Sequence, residues 1–133
     1  MLNPKTMPWI LVDLTRHRIR VSKFTLRSLG SPDFVRLLIN PEARTICLEV
    51  CGPDDARKHR VPSYVMNSKQ CYEINSIPFC EQLQQHTNWK TGSAYKLFAS
   101  AQAGEQLLIF KLDDAILSAG GVLMLDADRK AQA

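Results

Sequence analysis

One succession of apolar patterns occurs twice in this chain, and it limits the fold more than any other feature. Arg18-Ile19-Arg20-Val21 alternates charged and apolar residues, the period of a half-buried strand. Ser22 can accept a bond from a free backbone N–H and so start a helix. Leu26 and Leu29 then share one helical face, Gly30 suits a helix end, and Ser31-Pro32-Asp33 forms a turn. Two runs rich in β-formers follow, Phe34–Ile39 and Thr45–Val50, joined by the hairpin loop 40–44. The same order returns downstream. Cys71–Ile74 reads as a strand. Ser76–Leu83 reads as a short helix that tolerates Pro78 in its first turn. The segment 86–92 is a connecting loop, Tyr95–Ala99 a strand, Gln102–Glu105 a turn, and Gln106–Leu112 the returning strand.

Laid side by side, Val21 falls on Ile74, Leu29 on Leu83, Val35-Arg36-Leu37 on Tyr95-Lys96-Leu97, and Ile46-Cys47-Leu48 on Leu108-Ile109-Phe110. The spacing between the copies widens along the chain, so the second copy carries the longer loops, where insertions are best tolerated. The pattern predicts a mostly β (α+β) fold. It is a single domain over residues 1–133, with repeat one at about 16–51, a polar linker at about 52–62, repeat two at about 71–112 and a C-terminal extension at 113–133. Asp113-Asp114-Ala115-Ile116-Leu117 starts like a capped helix that Gly120-Gly121 breaks. Val122–Leu125 can add a strand or pack against the sheet, and residues beyond Asp126 are expected to be mobile.

The apolar fraction of 45% and charged fraction of 23% are those of a folded globular domain. The N-terminal patch Trp9-Ile10-Leu11-Val12 is too short for a membrane span or a signal peptide, so no membrane association is expected and a cytoplasmic location is. Cys47, Cys51, Cys71 and Cys80 read as reduced thiols. No Cys-x-x-Cys pair accompanies His17, His59 and His86, so neither a metal site nor a cofactor is expected. No histidine sits in a motif with a nucleophile, and Asp54-Asp55 and Asp113-Asp114 are adjacent acids of turns or helix starts. Gly120-Gly121 lacks the spacing and lysine of a phosphate loop. The chain is therefore read as non-enzymatic. Most aromatics fall in strand-like runs, and Trp89, in the long loop, is expected to close the core.

Charge is uneven. Residues 1–70 hold 12 Lys/Arg against 6 Asp/Glu, while residues 71–133 hold 5 against 7. The sharpest feature is Arg16-His17-Arg18-Ile19-Arg20-Val21-Ser22-Lys23, with Arg27 and Arg36 nearby. If Ile19 and Val21 face the core, Arg18 and Arg20 face out, and Arg16 joins them if the strand reaches back that far. Such a row can neutralise phosphates, and arginine can read guanine edges. It can equally be a solvated strand that uses charge against edge-to-edge aggregation. One exposed face of free cations favours nucleic acid, and pairing with acids counts against it.

The residues Ile19-Arg20-Val21-Ser22-Lys23 and Leu26-Arg27-Ser28-Leu29-Gly30, followed by paired strands, resemble the looped-hinge-helix unit of the AbrB, MazE and MraZ group of bacterial regulators. The resemblance covers Arg18–Val50 and, through the second copy, more of the chain. Ser22 stands where that group usually has proline, and Ser31-Pro32-Asp33 replaces its Gly-Asp. The resemblance implies a swapped-hairpin, cradle-loop-like barrel. It also implies a DNA-binding transcriptional regulator that contacts double-stranded DNA through Arg18, Arg20, Lys23 and Arg27, as a homodimer or higher homo-oligomer, and the strand alternation adds Arg16 to the expected DNA-binding residues. In that reading Arg27 reads bases while Arg18, Arg20 and Lys23 hold phosphates. The alternative is a non-catalytic protein-interaction or assembly module on the same barrel.

Overall fold

The computed structural model describes residues 7–67, 71–119 and 122–123. Within them the order is β1 (Trp9–Asp13), β2 (Arg18–Val21), α1 (Lys23–Ser28), β3 (Phe34–Asn40), β4 (Thr45–Val50), β5 (His59–Arg60), β6 (Tyr72–Asn75), α2 (Ile77–Gln85), β7 (Ala94–Ala103), β8 (Leu107–Lys111), β9 (Ile116–Ala119) and β10 (Val122–Leu123). Eight strands, in the spatial order β5-β3-β4-β8-β7-β1-β2-β6, make a nearly closed antiparallel barrel. The remaining two continue from it: β9 pairs with β7, and β10 with β9.

Period-two alternation puts one residue set inside the barrel. Ile10, Val12, Ile19, Val21, Val35, Leu37, Ile46, Leu48, Ile74, Leu97, Leu108 and Phe110 form the buried core. Burial of each such side chain contributes roughly 1.5–3 kcal/mol. Leu26 of α1 and Leu83 of α2 join it with no exposed surface, so both helices pack their apolar stripe on the barrel. Strand β7 serves two neighbours. Its first half, Ala94–Phe98, pairs with β1, and after an irregularity between Ala99 and Ala101 its second half pairs with β8.

Both helices start on the serines that the sequence marks. Ser22 Oγ accepts from the Thr25 N–H at 3.1 Å, and Ser76 Oγ from the Phe79 N–H at 3.2 Å. Thr25 also donates its hydroxyl to the Trp9 carbonyl at 2.8 Å, which ties α1 to β1. The first helix ends in a Schellman arrangement, with the Ser31 N–H on the Leu26 carbonyl (2.8 Å) and the Gly30 N–H on the Arg27 carbonyl (2.9 Å). Gly30 has φ +74°, and a Cβ there would sit 3.0 Å from Glu105 Oε2. The second helix has no glycine at this point. Instead the Thr87 hydroxyl caps the Leu83 carbonyl at 2.8 Å.

Four expectations need revision. Strand β1 was read only as an apolar patch, yet it is the central link between β2 and β7. Strand β2 does not reach back to Arg16, because Asp13 Oδ1 accepts from the Thr15 and Arg16 N–H groups and His17 turns the chain at φ +54°. The linker at 52–62 contains β5, which pairs with β3. Asp113–Leu117 is not a helix: a single 3-10 turn covers Leu112–Asp114, after which Ile116 and Leu117 pair with Lys96 and Tyr95 of β7. The free β7 edge draws these two β-formers into the sheet, and tertiary pairing overrides the local helix signal. Val122–Leu123 forms the expected added strand. The Gly120-Gly121 break and the end beyond Asp126 lie outside the described residues. Trp89 packs against the core, as expected, stacked on Tyr95 with ring centroids 4.4 Å apart and planes at 11°.

The barrel falls short of closure between β5 and β6. The link there is a side chain: the buried Tyr72 hydroxyl donates to the Arg60 carbonyl at 2.7 Å. Burial pushes the Tyr72 phenol up to about 12, so it remains a donor at neutral pH. Tyr72→Phe is expected to lower stability by about 1 kcal/mol. Urea unfolding should show a lower midpoint with an unchanged slope.

Candidate nucleic-acid interface

The five cations named from the sequence fall on three elements. Arg16 lies in the β1–β2 turn, Arg18 and Arg20 are on β2, and Lys23 and Arg27 are on α1. Because Ile19 and Val21 are fully buried, Arg18 and Arg20 do project outward, as the alternation requires.

The strand arginines, however, meet acids. In the β1–β2 ladder Arg18 lies opposite Asp13, and in the β2–β6 ladder Arg20 lies opposite Glu73. Arg18 Nη1 is 3.1 Å from Glu73 Oε2, and its Nε is 3.4 Å from Asp13 Oδ2. Arg16 Nη1 reaches the same Asp13 oxygen at 3.4 Å, while Arg20 Nε is 3.9 Å from Glu73 Oε1. Three arginines thus share two carboxylates, and the network carries one net positive charge rather than three.

Asp13 organises this network. It is 1% exposed, and burial pushes its carboxyl upward. The N–H groups of Thr15 and Arg16, the Arg16 side chain and the Arg18 charge outweigh that cost and hold it below the ordinary value. Next to it on the outer wall, Leu11 lies between Arg20 and Lys96. Lys96 Nζ sits 4.4 Å from the Trp9 ring centroid and 5.1 Å from that of Phe98, and burial lowers its pKa. This lysine is seated on the protein's own aromatic surface.

Lys23 and Arg27 are different. They stand four residues apart on one face of α1, and among the described residues neither forms an ion pair with a carboxylate. The five cations therefore divide into a neutralised trio and a free helical pair. Arg36, another basic residue of the first half, is taken by Glu49 and Asp55.

Sequence reading missed Asp13 and Glu73 as partners. Asp13 had a local signal, since an aspartate two residues before Thr15 at the end of an apolar run marks an Asx-turn. Glu73 had a long-range one: the two-copy alignment places it on Arg20, and equivalent positions of paired strands can face each other.

The described residues contain no cluster of three or more His, Cys, Asp or Glu side chains that could hold a metal ion. All four cysteines are free thiols, and burial drives Cys80 up to about 11. No described helix is long and apolar enough to cross a membrane.

The pH response of Asp13 follows from its position. A carboxyl held below its unfolded value stabilises the fold fully above about pH 4, and that contribution is lost as pH falls through the folded value. Asp13→Asn keeps an acceptor for the turn but discards the charge. It is expected to cost about 1–2 kcal/mol at pH 7. Urea unfolding as a function of pH should show the gap to wild type closing below about pH 4.

No family model, no curated protein and no solved structure matches this chain, so its geometry carries the functional reading.

Proposed function

We propose that this chain is a non-catalytic protein-interaction module built on an internally duplicated barrel. The duplication is supported by the ladders between the halves. If Val21 corresponds to Ile74, the pair Ile19–Ile74 mirrors onto Val21–Tyr72, with Arg20–Glu73 at the centre. If Cys47 corresponds to Ile109, Ile46–Phe110 mirrors onto Leu48–Leu108, with Cys47–Ile109 at the centre. A two-fold relation between the copies accounts for both registers, and a swapped-hairpin arrangement of the looped-hinge type is the fold family proposed to explain it.

The observation that carries the interaction reading is on the outer wall. Leu38 of β3, Cys47 of β4 and Ile109 of β8 are cross-strand neighbours that alternate with core residues and so face outward, half-buried. An outward apolar row flanked by polar positions is the signature of a surface that meets another protein rather than phosphates. The occupant proposed is a second copy of the chain, because a two-fold contact lays the same patch of each copy on the other and so covers Leu38, Cys47 and Ile109 of both at once.

A DNA-binding regulator is the second reading, favoured by the free pair Lys23 and Arg27 and by the looped-hinge resemblance. In it, Arg16, Arg18 and Arg20 position the duplex through whatever hydrogen-bonding capacity their carboxylate partners leave.

Sedimentation equilibrium and a duplex-binding assay at low salt separate the two. Wild type is expected to self-associate, and Ile109→Glu to be monomeric with an unchanged circular dichroism spectrum. A wild-type monomer at all concentrations sinks the homomeric proposal. Salt-sensitive duplex binding that is lost in Lys23→Ala/Arg27→Ala replaces it with the regulator reading.

A further inference from the structure

Between β5 and β6 the Tyr72 hydroxyl takes the Arg60 carbonyl, while among the described residues the Arg60 N–H and the outer edge of β6 have no backbone partner. The Ser76 N–H donates to the His17 carbonyl at 3.0 Å, which fixes the alternation of the β2–β6 ladder. His17–Ser76, Ile19–Ile74 and Val21–Tyr72 are the bonded pairs, so the N–H and C=O of Glu73 and Asn75 point away from β2. Across the gap, the Val61 N–H donates to the Asp33 carbonyl at 2.8 Å. By the same alternation the Arg60 backbone groups point away from β3, towards β6. Among the described strands β6 pairs with β2 alone. A cavity of about 210 Å³ opens beside the gap, with Leu37 and Phe79 in its lining and His59 and Ser76 at its two sides.

The rim is basic. Arg57, Lys58 and Arg60 are exposed or nearly so, and among the described residues none lies within 4.0 Å of a carboxylate. The acids close by are already engaged: Asp55 holds Arg36 and the Arg57 N–H, and Glu73 holds Arg18. Asp54 is the exposed acid left on that loop.

We propose that an extended, acidic segment of a partner protein docks in this gap as an added strand on β6. Its main chain pairs with the Glu73 and Asn75 groups, alternate apolar side chains enter the cavity over Leu37 and Phe79, and its carboxylates meet Arg57, Lys58 and Arg60. Strand addition supplies backbone bonds that nucleic acid cannot form, and the rim charge selects the acidic partner. The site is separate from the outward row on β3, β4 and β8 and extends the protein-interaction reading to a heterologous partner.

The test uses the full chain, ¹⁵N-labelled, titrated with a blocked hexapeptide alternating glutamate and valine, and with a lysine–valine control. Expected are binding of the acidic peptide alone, and slowed exchange of the Glu73 and Asn75 amides. Arg57→Glu/Lys58→Glu, at exposed positions, should weaken binding roughly tenfold or more. Asn75→Pro, which removes an edge donor but no bond to β2, should act similarly. Equal binding of the lysine–valine peptide, no binding of the acidic peptide, or binding that leaves both amides unprotected overturns the proposal. So does duplex DNA binding that the Arg57→Glu/Lys58→Glu protein loses while the peptide is unaffected. Failure here with self-association intact rejects this site and leaves the outer-wall reading standing.

Discussion

Strand β2 lies against β6 and strand β4 against β8, and the remaining elements take their places from those two ladders. Each joins a strand of the first half of the chain to one of the second half, far apart in sequence. Hairpins such as β3–β4 form locally, but a hairpin alone is marginal in water. Only when both cross-ladders form do Ile19, Ile46, Ile74, Leu108 and Phe110 enclose one core with no exposed surface worth counting. Either half alone would leave its strands' apolar face in water, so the halves fold as one unit.

The same ladders decide the electrostatics. Register has a period of two, so a slip by one residue would carry Arg18 and Arg20 into the core and Ile19 and Val21 to the surface. The register that buries the isoleucine and valine brings Glu73 across from Arg20 and Asp13 across from Arg18. The stretch that is the most basic in the sequence thereby has two of its positive charges balanced by carboxylates in the fold. The acids that neutralise it come from β1 and β6, one of them more than fifty residues away.

This separates what the sequence makes legible from what it does not. The local elements are legible, with Ser22 as a cap, Gly30 as a terminator and strands β3, β4 and β8 near their true bounds, because all are encoded in short windows, whereas β7 runs on to Ala103 through residues expected to turn. Strand β1 was hidden because Leu11 on its outer face is as buried as its core residues, so no alternation appears. Strand β5 was hidden because His59–Arg60 is only two residues inside a charged run. Strand β9 was hidden because Asp113-Asp114 mimics a helix start. The arginine partners were hidden because salt bridges between strands depend on register, and register is a property of the assembled sheet.

The barrel is open between β5 and β6, and the cause is local chemistry. Strand β1 is Trp-Ile-Leu-Val-Asp, a run of strong β-formers, and it zips fully onto β2. Strand β5 follows Gly52-Pro53 and the exposed cations Arg57 and Lys58, and Pro62, which has no N–H to offer a ladder, stands two residues after Arg60. A strand so hemmed in pairs with β3 for two residues and cannot reach β6 with its backbone. The Tyr72 hydroxyl spans the distance instead, satisfying one carbonyl and leaving the outer edge of β6 unpaired among the described residues. An exposed edge is normally blunted by charge or proline on the strand itself. Here the one charged residue of β6, Glu73, is drawn across to Arg18, and the guarding charges sit on the opposite lip, where they repel a basic chain and attract an acidic one.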